Sequence, residues 1–173
     1  NPKRSLIFCN TKHMADVLCE NLKGRGYFAD ALHGDLSQMM RDKVMNSFRN
    51  GTTEILIATD VAARGLDVDD VEAVFNFDIP QDVEYYVHRI GRTGRAGRKG
   101  RSFTLVVGRE IYRIRDIERI CNTQIKPRMV PSVADITQAK ASQIFDQVME
   151  VISNNDLSSL QKKVEDKIEE ENI

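Results

Sequence analysis

Five short apolar runs recur along the chain, at SLIFC (5–9), FADAL (28–32), EILIAT (54–59), VEAVFNFD (71–78) and SFTLVV (102–107). They are unbroken rather than alternating. A strand with one wet face alternates apolar and polar residues, whereas a continuous run fits a strand covered on both faces. Helical patterns fill the gaps. Met14, Val17, Leu18 and Leu22 share one face, and Gly24 and Gly26 mark its stop. Ser37 reads as the N-cap of a helix carrying Met40, Val44, Met45 and Phe48, which closes at Asn50-Gly51. Pro80 breaks the fourth run; DVEYYVHRI starts a further helix, and REIYRIRDIERIC follows the fifth run. Strand–helix alternation of this kind predicts an α/β domain, a parallel sheet sandwiched by helices with right-handed crossovers.

In such sheets ligands bind beyond the carboxyl ends of the strands. The loops CNT, HGD and ATDVAARGLD all follow strands and should gather along one edge, while KGRGY and NGTTE look like plain connectors. From Pro131 onward there is no strand signal. One helical pattern carries Ile144, Phe145, Val148, Met149, Val151 and Ile152; a second carries Leu157, Leu160, Val164 and Ile168, with Asp156 as its N-cap. The expected organisation is an α/β domain over 1–131 and a small all-α extension over 132–173.

Composition narrows the function classes. Of the 173 residues 41% are hydrophobic, yet none of the apolar runs approaches transmembrane length, so the expectation is a soluble protein with no membrane partner. The net charge of -1 averages an arginine-rich stretch at 88–101 and an acidic end, which leaves polyanion binding open. Cys9, Cys19 and Cys121 are odd in number and widely spaced, as packed, reduced thiols of a cytoplasmic protein would be. His13 and His33 have no ligand-like spacing, so no metal is assigned to the chain's own residues. Met39, Met40, Tyr85 and Tyr86 read as packing residues. With no signal peptide and no initial methionine, the chain reads as a piece of something longer.

The stretch HRIGRTGRAGRKG (88–100) places glycines at 91, 94, 97 and 100 among Arg89, Arg92, Arg95, Arg98 and Lys99. A Walker-type phosphate loop needs a glycine followed by Lys and then Ser or Thr, which does not occur. A disordered Arg/Gly segment would be longer and less closely flanked by a helix and a strand. A third option is a backbone nest with guanidinium groups aimed at a phosphate chain, since guanidinium binds phosphate bidentately and glycine permits close approach.

These residues also carry a resemblance. His88-Arg89-Ile90-Gly91-Arg92-Thr93-Gly94-Arg95 resembles motif VI of the DEAD-box RNA helicases. SLIFCNT (5–11) is similar to their motif IV, Gln38-Met39-Met40-Arg41 to their Q-x-x-R element, and ATDVAARGLDV (58–68) to their motif V. The four occur in family order. His at the head of motif VI separates the match from DEAH-type relatives, which usually place Gln there. The resemblance implies a RecA-like fold and identifies the chain with the second of the family's two RecA-like domains. Walker A, DEAD and SAT motifs are absent from it.

By the resemblance, Arg92 and Arg95 reach the ATP γ-phosphate across an interdomain cleft, with Arg95 as arginine finger; both count as catalytic and nucleotide-binding. His88 links motif VI to the phosphate end or the partner domain, and Asp67 binds the ribose. Arg64 organises motif V through carboxylates, and Asp60 stays unassigned. Thr11, Gly34, Arg41, Thr59 and Gly65 are the implied RNA contacts, hydroxyls and glycine amides suiting sugar-phosphate contact without base readout. ATP with Mg2+ would be bound mainly by the N-terminal RecA-like domain of the same protein. The expected function is the C-terminal half of an ATP-dependent RNA helicase core. Alternatives are a non-catalytic RNA-binding or oligomerisation module and a DNA helicase. The helices after the core resemble a dimerisation element of bacterial cold-shock or ribosome-assembly helicases, which predicts a homodimer through 132–173.

Overall fold

A computed structural model of the chain describes residues 3–63, 68, 71–94, 97 and 99–154, the last for its backbone alone. Its elements are β1 (Ser5–Cys9), α1 (Lys12–Gly24), β2 (Ala29–Leu32), α2 (Gln38–Arg49), β3 (Ile55–Thr59), α3 (Asp60–Ala63), β4 (Ala73–Asn76), α4 (Val83–Ile90), β5 (Arg101–Thr104), α5 (Ile111–Cys121) and α6 (Val133–Asn154). The five strands form one sheet in the order β2-β3-β1-β4-β5, with every pairing parallel. Ser5–Cys9 run in register with Ile55–Thr59 on one side, and Ser5–Phe8 with Ala73–Asn76 on the other.

The unbroken apolar runs have their explanation in the two cores. Leu6 and Phe8 point to one face and pack with Val44, Met45 and Phe48 of α2. Ile7 and Cys9 point to the other and pack with Ala15, Cys19, Met14 and Leu18 of α1. Because successive side chains of a strand face opposite ways, both parities must be apolar. A third cluster joins Ile79 and Tyr86 to Ile114 and Ile117 of α5. Cys9 and Cys19 are buried within the second core, and all three cysteines are free. Burial pushes the Cys9 thiol up to about 12, so it stays protonated at neutral pH.

Helix starts are set locally. Thr11 Oγ1 accepts from the Met14 N–H at 3.2 Å and Ser37 Oγ from the Met40 N–H at 3.3 Å, each satisfying a donor that an uncapped helix leaves orphaned. The fifth strand is shorter than expected, ending at Thr104 instead of Val107. Its neighbour β4 stops at Asn76, so beyond the Leu105 N–H bond to the Asn76 carbonyl the chain has no ladder to extend. Met39 departs from the packing expected of it: it is 77% exposed, and Met40 is also exposed.

By contacts the chain divides into two compact units, residues 1–125 and 126–173. In the second, α6 is capped by a reciprocal arrangement at Ser132 and Asp135. Ser132 Oγ accepts from the Asp135 N–H at 3.2 Å, and an Asp135 carboxylate oxygen accepts from the Ser132 N–H at 2.9 Å. Hydrogen bonds from the Ser132 side chain and backbone hold the Asp135 carboxyl below its ordinary range. Every described side chain of α6 is exposed. The second helical pattern of the extension, with Leu157, Leu160, Val164 and Ile168 and its N-cap Asp156, lies outside the described residues.

Candidate nucleotide and nucleic-acid edge

The carboxyl ends of β3, β1 and β4 are tied together by one side chain, Arg89. It is 1% exposed, although its guanidinium is charged at any accessible pH. Its Nε and Nη2 donate to the two carboxylate oxygens of Asp60, both at 2.6 Å, in the bidentate geometry that suits this pair. Nη2 also donates to Asn10 Oδ1 at 2.9 Å, and Nη1 to the Asp78 carbonyl at 2.6 Å. A longer Nη1 contact, 3.4 Å, reaches Asn76 Oδ1, and the guanidinium lies 5.1 Å from the centroid of the Phe8 ring. Asp60 follows β3, Asn10 follows β1, Asn76 ends β4 and Asp78 lies just beyond it. Asn10 adds a bond from its N–H to Asp78 Oδ2 at 2.8 Å. Burying an ion is costly unless its remaining donors are met, and four groups at the carboxyl ends of three strands meet them here.

The stitch fixes α4, from which Arg89 projects, against this edge. After Ile90 the chain keeps turning: the Arg92 N–H bonds to the Arg89 carbonyl at 3.2 Å and the Thr93 N–H to the Ile90 carbonyl at the same distance. Tyr85, His88 and Arg92 therefore stay on one face, at helical spacing. Across from them stand Phe8, Asp60 and Ala63, and together these residues with Arg89 line an open cleft. His88 is half-exposed, its Nε2 4.0 Å from Glu84 Oε1. Tyr85 is half-buried on the cleft wall while Tyr86 is buried in the core.

The glycines of 88–100 hold the loop in a tight path. Gly94 has φ 73° and Gly97 φ 76°, a region that disfavours side chains. A Cβ at Gly100 would collide with the Thr93 side chain and the Gly94 amide. Thr93 pins the turn to the sheet: its Oγ1 donates to the Val71 carbonyl at 2.5 Å, and the Val71 N–H bonds to the Arg92 carbonyl at 3.1 Å. The stretch is thus a folded turn over its described residues, not an Arg/Gly tail.

The remaining anticipated residues fall along the same edge. Thr11 caps α1 just after β1, Gly34 follows β2, and Thr59 ends β3, where it is buried. Arg41, half-buried on α2, donates from Nη2 to the Ala62 carbonyl and so braces the helical turn α3. ATDVAARGLD, anticipated as a polar loop, begins with that turn; Ala62 and Ala63 are buried. Gly65, Asp67, Arg95 and Arg64 lie outside the described residues. The structure thus gathers His88 and Arg92 at one cleft and distributes Thr11, Gly34, Arg41 and Thr59 along the β1, β2 and β3 side. Arg89 is the residue that sequence reasoning passed over. Its signal was available: it falls three residues after Tyr86, on the helix face that must enter the core, so it needs an acid, and Asp60 was unassigned.

Guanidinium donors, an imidazole and an aromatic wall suit the phosphate end of a nucleotide. Among the described residues there is no group of three His, Cys, Asp or Glu side chains that could hold a metal ion. No described helix is long and apolar enough to cross a membrane.

Comparison with known proteins gives the chain a family. Residues 1–97 match the helicase conserved C-terminal domain family, and residues 131–173 match the RNA helicase DeaD dimerization domain. Over 98% of its length the chain is 43% identical to the DEAD-box ATP-dependent RNA helicase CshA of Geobacillus kaustophilus, of which it covers 36%. The chain thus spans about a third of the curated relatives it matches. Among solved structures it is similar to the E. coli DEAD-box protein SrmB bound to regulator of ribonuclease activity A, with 37% identity and a TM-score of 0.70 over 75% of this chain and 76% of that one. It is also similar to S. cerevisiae Dbp5 bound to RNA and ADP BeF3, with 37% identity and a TM-score of 0.69 over 81% of this chain and 37% of that one.

Proposed function

Since the chain belongs to the helicase conserved C-terminal domain family, within the DEAD-box RNA helicases, we propose that it forms the C-terminal RecA-like lobe of an ATP-dependent RNA helicase core. The observation that carries this is the cleft in which α4 and the turn after it present His88 and Arg92 beside Asp60 at the carboxyl edge of the sheet. Bound ATP supplies the phosphoanhydride whose hydrolysis drives the cycle. Arg92 and Arg95 offer guanidinium donors to charge developing on the γ-phosphoryl oxygens, a contribution of roughly 10³–10⁵ in kcat for arginine fingers generally. His88 lies at the phosphate end, and Asp67 accepts from a ribose hydroxyl. His88 and Arg92 suit the phosphates; Mg2+ would fall to the N-terminal RecA-like domain, which would contribute most of the ATP site.

Thr11, Gly34, Arg41, Thr59 and Gly65 grip the sugar-phosphate backbone of single-stranded RNA without reading bases. The Dbp5 relative is bound to RNA and a nucleotide mimic, which supports both halves of this assignment. The division at residues 131 and 132 is supported by the start of the second family match at residue 131, and that match supports a homodimer through 132–173. The free thiols of Cys9, Cys19 and Cys121 support a cytoplasmic setting.

ATP dependence of RNA binding tests the assignment against a module that binds RNA or oligomerises without nucleotide. With the N-terminal lobe joined to this chain, a non-hydrolysable ATP analogue should tighten oligouridine binding at least about tenfold, 1.4 kcal/mol of coupling. Equal affinity with and without the analogue would contradict it.

A further inference from the structure

Gly34 sits between two residues that α1 holds. Lys12 and Asp16 are one turn apart on that helix and so project from the same side. Lys12 Nζ donates to Asp35 Oδ2 at 2.5 Å, and His33 Nε2 bonds to Asp16 Oδ1 at 2.9 Å. The loop is thus gripped immediately before and immediately after Gly34. His33 is 6% exposed, and its Nδ1 is buried with no hydrogen-bond partner, so the bond to Asp16 is the imidazole's one polar anchor. The His33 carbonyl accepts from the Leu36 N–H at 3.3 Å, which closes the turn. Gly34 itself is exposed, and a Cβ placed on it would meet nothing within 4 Å. Its backbone is fixed on both sides and open outward.

Stability does not account for the Lys12–Asp35 contact. The Lys12–Asp35 pair leaves both side chains about three-fifths exposed, and exposed pairs contribute little to folding. The geometric effect of the two contacts is specific: they join α1, whose N-cap is Thr11, to the loop after β2, which holds Gly34. We propose that Lys12, Asp16, His33 and Asp35 form a clamp of positioning residues that presents the Gly34 backbone, in fixed relation to Thr11, to the phosphate chain of RNA. The clamp rests on the RNA assignment of Thr11 and Gly34 and adds to it two acidic side chains that help bind a polyanion.

That last point gives the test its sign. Removing a negative charge from a polyanion site ordinarily strengthens binding; the clamp predicts the reverse. In fluorescence anisotropy of the full 173-residue chain with a labelled oligouridine strand, Asp16→Ala and Asp35→Ala should each weaken binding by about five- to tenfold. Asp16→Asn keeps an acceptor for His33 Nε2–H and should stay within about twofold of the unsubstituted chain, at the same melting midpoint. Tighter or unchanged binding by Asp16→Ala and Asp35→Ala overturns the clamp. Arg41→Ala, measured alongside, separates the two levels. If it weakens binding while the acid substitutions strengthen it, the clamp alone fails; if no substitution matters, the RNA groove fails with it.

Discussion

Arg89 has an unusual position for its chemistry: a permanently charged side chain among Phe8, Asn76 and Asp60 at the meeting point of three strands. Replacing it by methionine would keep much of the volume and leave Asp60 without its bidentate partner. Breaking a buried pair from one side costs about 3–5 kcal/mol, a large share of an ordinary domain's stability. Arg89→Met should therefore lower the urea midpoint sharply and Arg89→Met with Asp60→Asn less so, since the stranded carboxylate is then gone. A loss under about 1 kcal/mol for the single substitution would show that the stitch holds nothing. At this scale the sequence was partly legible. Thr11 and Ser37 are recognisable as caps because a hydroxyl precedes an apolar helical pattern. Arg89 was hidden among the other arginines of the stretch, and only its place three residues after Tyr86, on the α4 face that enters the core, sets it apart. Met39 and Met40 misled for the opposite reason: both read as packing residues, yet both are exposed on α2.

Elements were more legible than their ends. Each of the five apolar runs contains a strand among the described residues; burial on both faces accounts for the pattern at β1, β3 and β4, whereas β5 is an exposed edge strand. The early end of β5 and the helical turn α3 depend on tertiary partners, on where β4 stops and on what Arg41 reaches, and no local pattern encodes them. For α6 the exposed Ile144, Phe145, Val148, Met149, Val151 and Ile152 make a demand of their own. Fully buried apolar side chains contribute roughly 1.5–3 kcal/mol each, and contiguous patches of this kind mark interaction sites. A symmetric pairing of two copies would bury them, as the match of residues 131–173 to a dimerization domain supports. Sedimentation at micromolar concentrations should show a dimer for the chain and a monomer once residues 132–173 are removed. A monomer in both cases would exclude that pairing.

For the whole molecule, function is divided between this chain and what its relatives carry besides it. The chain brings arginines and the hydroxyls and glycines proposed to grip RNA, and the sequence contains no Walker A motif to hold a triphosphate. That division was visible in the motifs, whereas the joint geometry of the cleft required the folded sheet. Steady-state phosphate release tests the claim most directly, measured with RNA for the chain alone and for the chain joined to its N-terminal lobe. Alone, it should release essentially no phosphate. Joined, it should turn over, and Arg92→Ala and Arg95→Ala should each cut kcat by about 10³ or more while nucleotide affinity changes far less, because a finger acts on the transition state. RNA-stimulated turnover by the chain alone, or equal losses of affinity and kcat in the arginine variants, would contradict the account.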